Sequence, residues 1–393
     1  MKLTRVLEVF LAFLQLGFTS FGGPVAHLGY FHREFVSKRK WAEESTYADI
    51  VALCQFLPGP ASSQVGIAIG LSRAGLSGGL AAWLGFTLPS AILLVLFALG
   101  ISHFGNTIAG GWLHGLKIAA AAVVAQAIWN MAVKLCPDKE RVVIAILSSV
   151  AVTLLPATLG QVSTLIAAGL IGCLCLKHPE KNPSSTSFHT PISQKTGVVF
   201  LTVFFILLLI LPLLAASIGN HSLILFSSFF RAGSLVFGGG HVVLPLLQTI
   251  VVPPGWVSSD AFMAGYGAAQ AIPGPLFTFT AYLGAISKVS PTGWLGATIC
   301  LIAAFAPSYF LVVGTLPFWE KLRHIEHMQL AMQGIGAAVV GLLLSAFYHP
   351  VWTSAILSRG DFALLLIEFV LLMVWKAPTW SIVLISAVAG QIL

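Results

Sequence analysis

Two short runs hold the residues best suited to chemistry. Ser62, Ser63 and Gln64 follow Pro58-Gly59-Pro60, and Thr278 and Thr280 follow Pro273-Gly274-Pro275. Each Pro-Gly-Pro interrupts an apolar run. It cannot continue an α-helix, because both prolines lack an N–H and the glycine is permissive. The backbone groups freed there need a partner other than lipid. A proline in the first turn of the next helix leaves N–H groups free, with the positive end of the helix dipole aimed into the break. Hydroxyls and an amide beside such an end suit a small oxyanion. A tight packing kink would leave the same residues, so one copy alone does not decide. Two copies at matching places favour a site, because broken helices at equivalent positions of two halves point to where a secondary transporter binds its substrate.

Other candidates surround these breaks. The clusters Gly22-Gly23 and Gly238-Gly239-Gly240 lack a following Lys-Ser/Thr and a βαβ setting, so they are not nucleotide loops. They expose N–H groups or let another helix approach closely. His27 and His241 follow the two clusters without aligning with each other, and each suits a packing role or a ligand role. Arg231 and Lys117 are the cations placed to face an anionic substrate, while Arg73 reads as a topology anchor. Glu8 and Glu368 are the carboxyls at membrane depth and the candidates for proton coupling. No His-Glu-x-x-His, Cys-x-x-Cys or nucleophile-elbow pattern is present, so the sequence supports neither an enzyme site nor a metal or cofactor. Cysteines 54, 136, 173, 175 and 300 have no paired spacing and read as buried small hydrophobes.

The elements that must position these residues follow from composition. Of 393 residues, 57% are hydrophobic and 8% charged, against about 25% charged in soluble domains. The chain is therefore an all-α, polytopic membrane protein. Its +7 charge comes from scattered Lys and Arg. That argues against nucleic acid and directs attention to the loops. Lys2 and Arg5 before an apolar run look like a signal sequence, but the missing small-x-small site predicts a retained segment. Apolar stretches are expected at about 6–31, broken at Gly22-Gly23, and at 48–72, broken at Gly59. Four more follow at 76–101, 112–134, 141–155 and 158–176. The division is then a first membrane repeat over 1–176, a polar cytoplasmic linker over 177–196, an added helix over 197–217, and a second repeat over 218–393.

The duplication is read from ordered matches. Phe237-Gly238-Gly239 stands 216 positions after Phe21-Gly22-Gly23. Trp256 and Gln270 stand 215 after Trp41 and Gln55, Pro307-Ser308 stands 218 after Pro89-Ser90, and Ala337–Val340 stands 216 after Ala121–Val124. An even number of crossings per repeat plus one added helix inverts the second half. Basic residues agree: Lys134, Lys139, Arg141, Lys177, Lys181 and Lys195 mark first-half loops whose second-half counterparts are the poorer ones. Lys321, Arg323 and Lys376 mark the exchanged set, and the loop 350–361, with Arg359 and Asp361, is discordant. Two counts stay open: thirteen crossings, or about nine spans with four re-entrant hairpins. Both put the N-terminus in the cytoplasm and the C-terminus outside.

Four motifs together resemble the chromate ion transporter family in its long, two-domain form. They are Gly17-Phe18-Thr19-Ser20-Phe21-Gly22-Gly23-Pro24 with His27, Gln55 to Pro60, Phe237 to His241 with Pro245-Leu246, and Gln270 to Pro275. The resemblance covers nearly the whole chain. It implies an inner-membrane transporter that exports chromate, a tetrahedral dianion similar to sulfate, driven by the proton motive force. The implied partners are that oxyanion, membrane lipid and protons, with a homodimer as one assembly open to the chain. An anion channel or a sulfate-type uptake carrier on the same scaffold is the alternative.

Overall fold

The structure is a computed structural model, and it describes residues 2–21, 23–108, 111–155, 157–176, 192–236, 243–322 and 325–391. Gly22, Gly238, Gly239, Gly240 and His241 lie outside the described residues, as does most of the linker, 177–191. Every regular element among the described residues is helical. Among the described residues, five helices are long and apolar enough to cross a membrane.

The broken stretches fold back on themselves. In the first, α1 (Lys2–Thr19) is followed by α2 (Gly23–Phe31) and a π-helical turn, His32–Lys38. Phe13 of α1 packs on Phe31 and Phe35, with ring centroids 5.4 and 4.7 Å apart, so the two arms run side by side. The turn is closed by Glu34. Burial works against its ionisation, but bonds from Arg39 and Lys38 outweigh that and hold its carboxyl below the usual range.

The second break separates α3 (Glu44–Phe56) from α4 (Ala61–Ile108). The helix α4 is interrupted at Ala74 and Gly75, where Gly75 adopts φ +68°. Its first segment, 61–73, therefore matches α3 at 13 residues. Each arm is about 20 Å long at 1.5 Å per residue, short of a hydrocarbon core of about 30 Å. The ends of this hairpin meet where the Arg73 guanidinium covers the Trp41 ring at 5.0 Å.

Beyond it come the second part of α4 (76–108), α5 (Gly111–Leu135), α6 (Lys139–Leu154), α7 (Ala157–Cys175) and α8 (Gln194–Ile218). The side chains of α8 are largely exposed, which suits a lipid-facing helix. The remaining elements are α9 (His221–Leu235), α10 (Val243–Val251), α11 (Ser259–Ala271), α12 (Phe279–Ile286), α13 (Gly293–Thr315), α14 (Trp319–Leu322), α15 (Glu326–Ala346), α16 (Thr353–Ala355), α17 (Arg359–Met373) and α18 (Thr379–Ala389).

The helices α11 and α12 form another hairpin. Tyr282 donates to the Ala261 carbonyl at 2.8 Å, and the Lys288 N–H donates to the Trp256 carbonyl at 2.8 Å, which joins the two ends. Trp256 and Lys288 stand 215 positions after Trp41 and Arg73, which close the α3–α4 hairpin. At both Pro-Gly-Pro breaks the flanking helices therefore fold back so that their far ends meet.

The two halves of the chain are packed reciprocally. The pair α6–α7 rests on α15, and the pair α17–α18 rests on α5. Small residues allow this closeness. A Cβ on Gly341 or Gly334 would meet the carbonyls of Ala145 or Ala168, and one on Gly115 would meet that of Ser386. The cysteines depart in part from expectation. Cys54, Cys136 and Cys300 are buried, but Cys175 is exposed and Cys173 donates to the His327 carbonyl at 3.1 Å. The outward face of a helix at lipid gives a small apolar thiol no reason to be covered by protein.

Candidate functional site

Glycines 59 and 274 hold the two breaks open. Gly59 has φ +126° and Gly274 φ +107°, a region closed to other residues. Each donates its N–H across the molecule, Gly59 to the Val236 carbonyl and Gly274 to the Ser20 carbonyl at 2.9 Å. The acceptors precede the two glycine clusters, and Val236 stands 216 positions after Ser20. A Cβ on Gly59 would lie 2.5 Å from Ser308 Oγ, and one on Gly274 would lie 2.7 Å from Ser90 Oγ. Ser90 and Ser308 directly follow Pro89 and Pro307, the prolines inside α4 and α13. Those prolines each withdraw a helical N–H where the helix faces a break. Each Pro-Gly-Pro is therefore roofed by the opposite half of the chain.

Pro58, Gly59 and Pro60 lead into α4 with Pro60 as the cap rather than as the first helical residue, since the Gln64 N–H bonds its carbonyl at 3.0 Å. Ser62, Ser63 and Gln64 are buried. Ser62 Oγ lies 3.3 Å from His27 Nδ1, and Gln64 Nε2 donates to the Pro58 carbonyl at 2.6 Å. Ser63 Oγ and Gln64 Oε1 have no partner. In the second half, Pro273, Gly274 and Pro275 lead into a 3-10 turn, Leu276–Thr278, before α12. There Thr278 and Thr280 differ from expectation. Their hydroxyls donate to the Pro275 and Phe277 carbonyls at 2.7 and 2.8 Å, because a tight turn brings carbonyls within their reach.

Sequence reasoning missed several groups. Ser20, Thr87 and Ser308 carry buried hydroxyls without partners. His27 also packs edge-on against Phe86, with centroids 5.2 Å apart, and Phe86 lies beside Gly274. His27 therefore links the surroundings of one break to those of the other. The signal that could have found the serines was their repetition beside Pro89 and Pro307.

The two cations are placed differently. Lys117 Nζ lies 2.6 Å from Asp260 Oδ1, so its charge is already compensated. Arg231 lines a cavity of about 60 Å³ with Gln161, Ser228 and Thr249, between residues of α7, α9 and α10. Among the described residues no carboxylate pairs with it. Such a volume admits a few waters or one small anion. The two carboxyls diverge as well. Glu8 pairs with Arg73 at 3.0 Å, whereas Glu368 is fully buried with neither oxygen partnered. Gly23, with φ +78°, is the first residue of α2.

The family profile described as chromate transporter matches residues 7–173 and 223–391. A probable chromate transport protein of Synechococcus elongatus is 29% identical over 392 residues, covering 97% of this chain and 93% of that one. Chromate transport proteins of Pseudomonas aeruginosa and Cupriavidus metallidurans are each 27% identical, covering 86% of this chain and 79% and 81% of theirs. No solved structure matches the chain. A profile match across both halves of an all-helical membrane scaffold places the chain in the chromate transporter family.

Proposed function

We propose that the protein is a secondary transporter that exports chromate, or a related tetrahedral oxyanion such as sulfate, across the inner membrane at the expense of the proton motive force. One observation carries the reading. Buried polar atoms without protein partners gather about the two breaks, on Ser20, Ser63, Gln64 and Ser308. Buried polar groups are otherwise almost always satisfied. A dianion with four acceptor oxygens answers the donors among them, and free N–H groups at the start of the segment 61–73 add to the attraction. Arg231 supplies the uncompensated positive charge, while Lys117 serves to position α5 through Asp260.

In this reading the chain comprises two inverted repeats, 1–176 and 218–393, related by the helix at 197–217. Access alternates as one repeat rocks against the other. The N-terminus is cytoplasmic and the C-terminus periplasmic. The test is uptake and counterflow of labelled chromate and sulfate in vesicles reconstituted with the full chain. Saturable counterflow of either anion supports the carrier. Absence of flux of both removes the reading, and flux that neither saturates nor responds to a pH gradient replaces it with an anion channel.

A further inference from the structure

Glu368 lies on α17 where that helix packs between α5 and α18. The three helices come from different halves of the chain, so the carboxyl sits in a seam between them. Its setting is unlike that of the other buried carboxylates. Asp361, two turns earlier on the same face of α17, pairs with His114 Nε2 at 2.9 Å and accepts the N–H groups of Leu357 and Ser358. Glu368 receives nothing comparable. The Ser386 hydroxyl stands beside it, but donates its own hydrogen to the Gly115 carbonyl at 2.7 Å. Ser386 Oγ can then only accept. A protonated carboxyl can donate to it, whereas a carboxylate finds no donor there.

The ionisable groups that face this seam do not change the balance. On α5, His114 and Lys117 are engaged by Asp361 and Asp260, and Lys134 lies in the last turn. The helix α18 carries no titratable side chain, and α17 itself adds only Arg359 and Asp361. An ionised Glu368 in this packing would be a buried charge without a counter-ion, which a low-dielectric interior strongly disfavours.

We propose that Glu368 is the proton-binding site of the transport cycle, holding its proton while α5 and α17–α18 are packed together and releasing it when movement of the halves lets water into the seam. Proton occupancy and packing of the two halves are then linked, each biasing the other by the same factor. The assignment rests on the proton-coupled reading above.

The test uses the full chain in vesicles, comparing wild type with Glu368→Gln, Glu368→Asp and Glu8→Gln. Chromate counterflow at equal pH reads transport without its driving force, and accumulation under an imposed pH gradient reads the coupling. Each coupled proton should change wild-type accumulation about tenfold per pH unit. Glu368→Gln should lose that dependence and keep counterflow, while Glu368→Asp and Glu8→Gln keep both. Retention of gradient-driven accumulation in Glu368→Gln overturns the proposal, as does loss of counterflow together with accumulation. Infrared spectra of wild type and Glu368→Gln across a pH titration give a readout free of substrate. A protonated-carboxyl band removed by the substitution supports the site even if chromate is not carried, and an unchanged band overturns it.

Discussion

Gly59→Ala is the most informative single change. A non-glycine residue at φ +126° carries a backbone cost of order 1–3 kcal/mol. The new methyl would stand 2.5 Å from Ser308 Oγ and 2.6 Å from Gln64 Nε2. Moving Gln64 aside forfeits its bond to the Pro58 carbonyl, about 0.5–1.5 kcal/mol. The combined loss is about 2–4 kcal/mol. Gly75→Ala is the internal control, because Gly75 has φ +68° but nothing within 4 Å of a Cβ. Left-handed strain alone costs roughly 1–2 kcal/mol there. Thermal melting in detergent should rank wild type above Gly75→Ala above Gly59→Ala. Chromate counterflow should survive in Gly75→Ala and fail in Gly59→Ala. Adding Ser308→Ala should recover part of the lost stability, because it removes one of the two clashing atoms. If Gly59→Ala melts and transports like Gly75→Ala, the break is not held by the contacts described, and the reasoning fails.

Three further outcomes are expected. Arg231→Ala should raise the half-saturating chromate concentration by about 10–100-fold, the worth of a hydrogen bond to a charged group, with Arg231→Lys intermediate; unchanged saturation would remove Arg231 from the site. Gly70→Ala would put a methyl against the Gly78 carbonyl across the bend in α4, and should lower melting by the equivalent of about 1–3 kcal/mol. Asp138→Ala removes a cap whose carboxylate accepts the Arg141 N–H at 2.9 Å, costing about 1 kcal/mol at neutral pH. Its bond from the Arg141 side chain depresses the Asp138 carboxyl, so the difference from wild type should be full above the ordinary aspartate range and vanish as pH falls through the folded value.

The breaks were legible because Pro-Gly-Pro excludes a helix by covalent structure alone. The helices were legible for a similar reason, as uninterrupted apolar runs leave few alternatives at membrane depth. The predicted stretch 112–134 is observed as Gly111–Leu135, and 141–155 as Lys139–Leu154. The hairpins were only half legible. Their closure depends on Trp41 meeting Arg73 and on Trp256 meeting Lys288, contacts between residues some thirty positions apart. Partnering was not legible at all. Nothing in sequence distinguishes Lys117, held by Asp260 on another helix, from Arg231, which no carboxylate among the described residues meets. The same holds for Glu8 and Glu368, whose difference lies wholly in their neighbours. Thr278 and Thr280 show the opposite failure, since hydroxyls that look available are drawn to nearby carbonyls once the turn tightens.

The reciprocal packing of α5 with α17–α18 has a consequence for biosynthesis. The small-residue face of α5, with Gly111 and Gly115, is covered by Ser386 and Gly390. About 240 residues separate the end of α5 from the start of α18. At about 5–20 residues per second a ribosome needs some tens of seconds to make them. During that interval α5 has been synthesised while its eventual covering does not yet exist. Its glycines stay open to any other helix that diffuses past, including α5 of a neighbouring nascent chain. The membrane insertion machinery, or lipid itself, must occupy that face until α18 arrives.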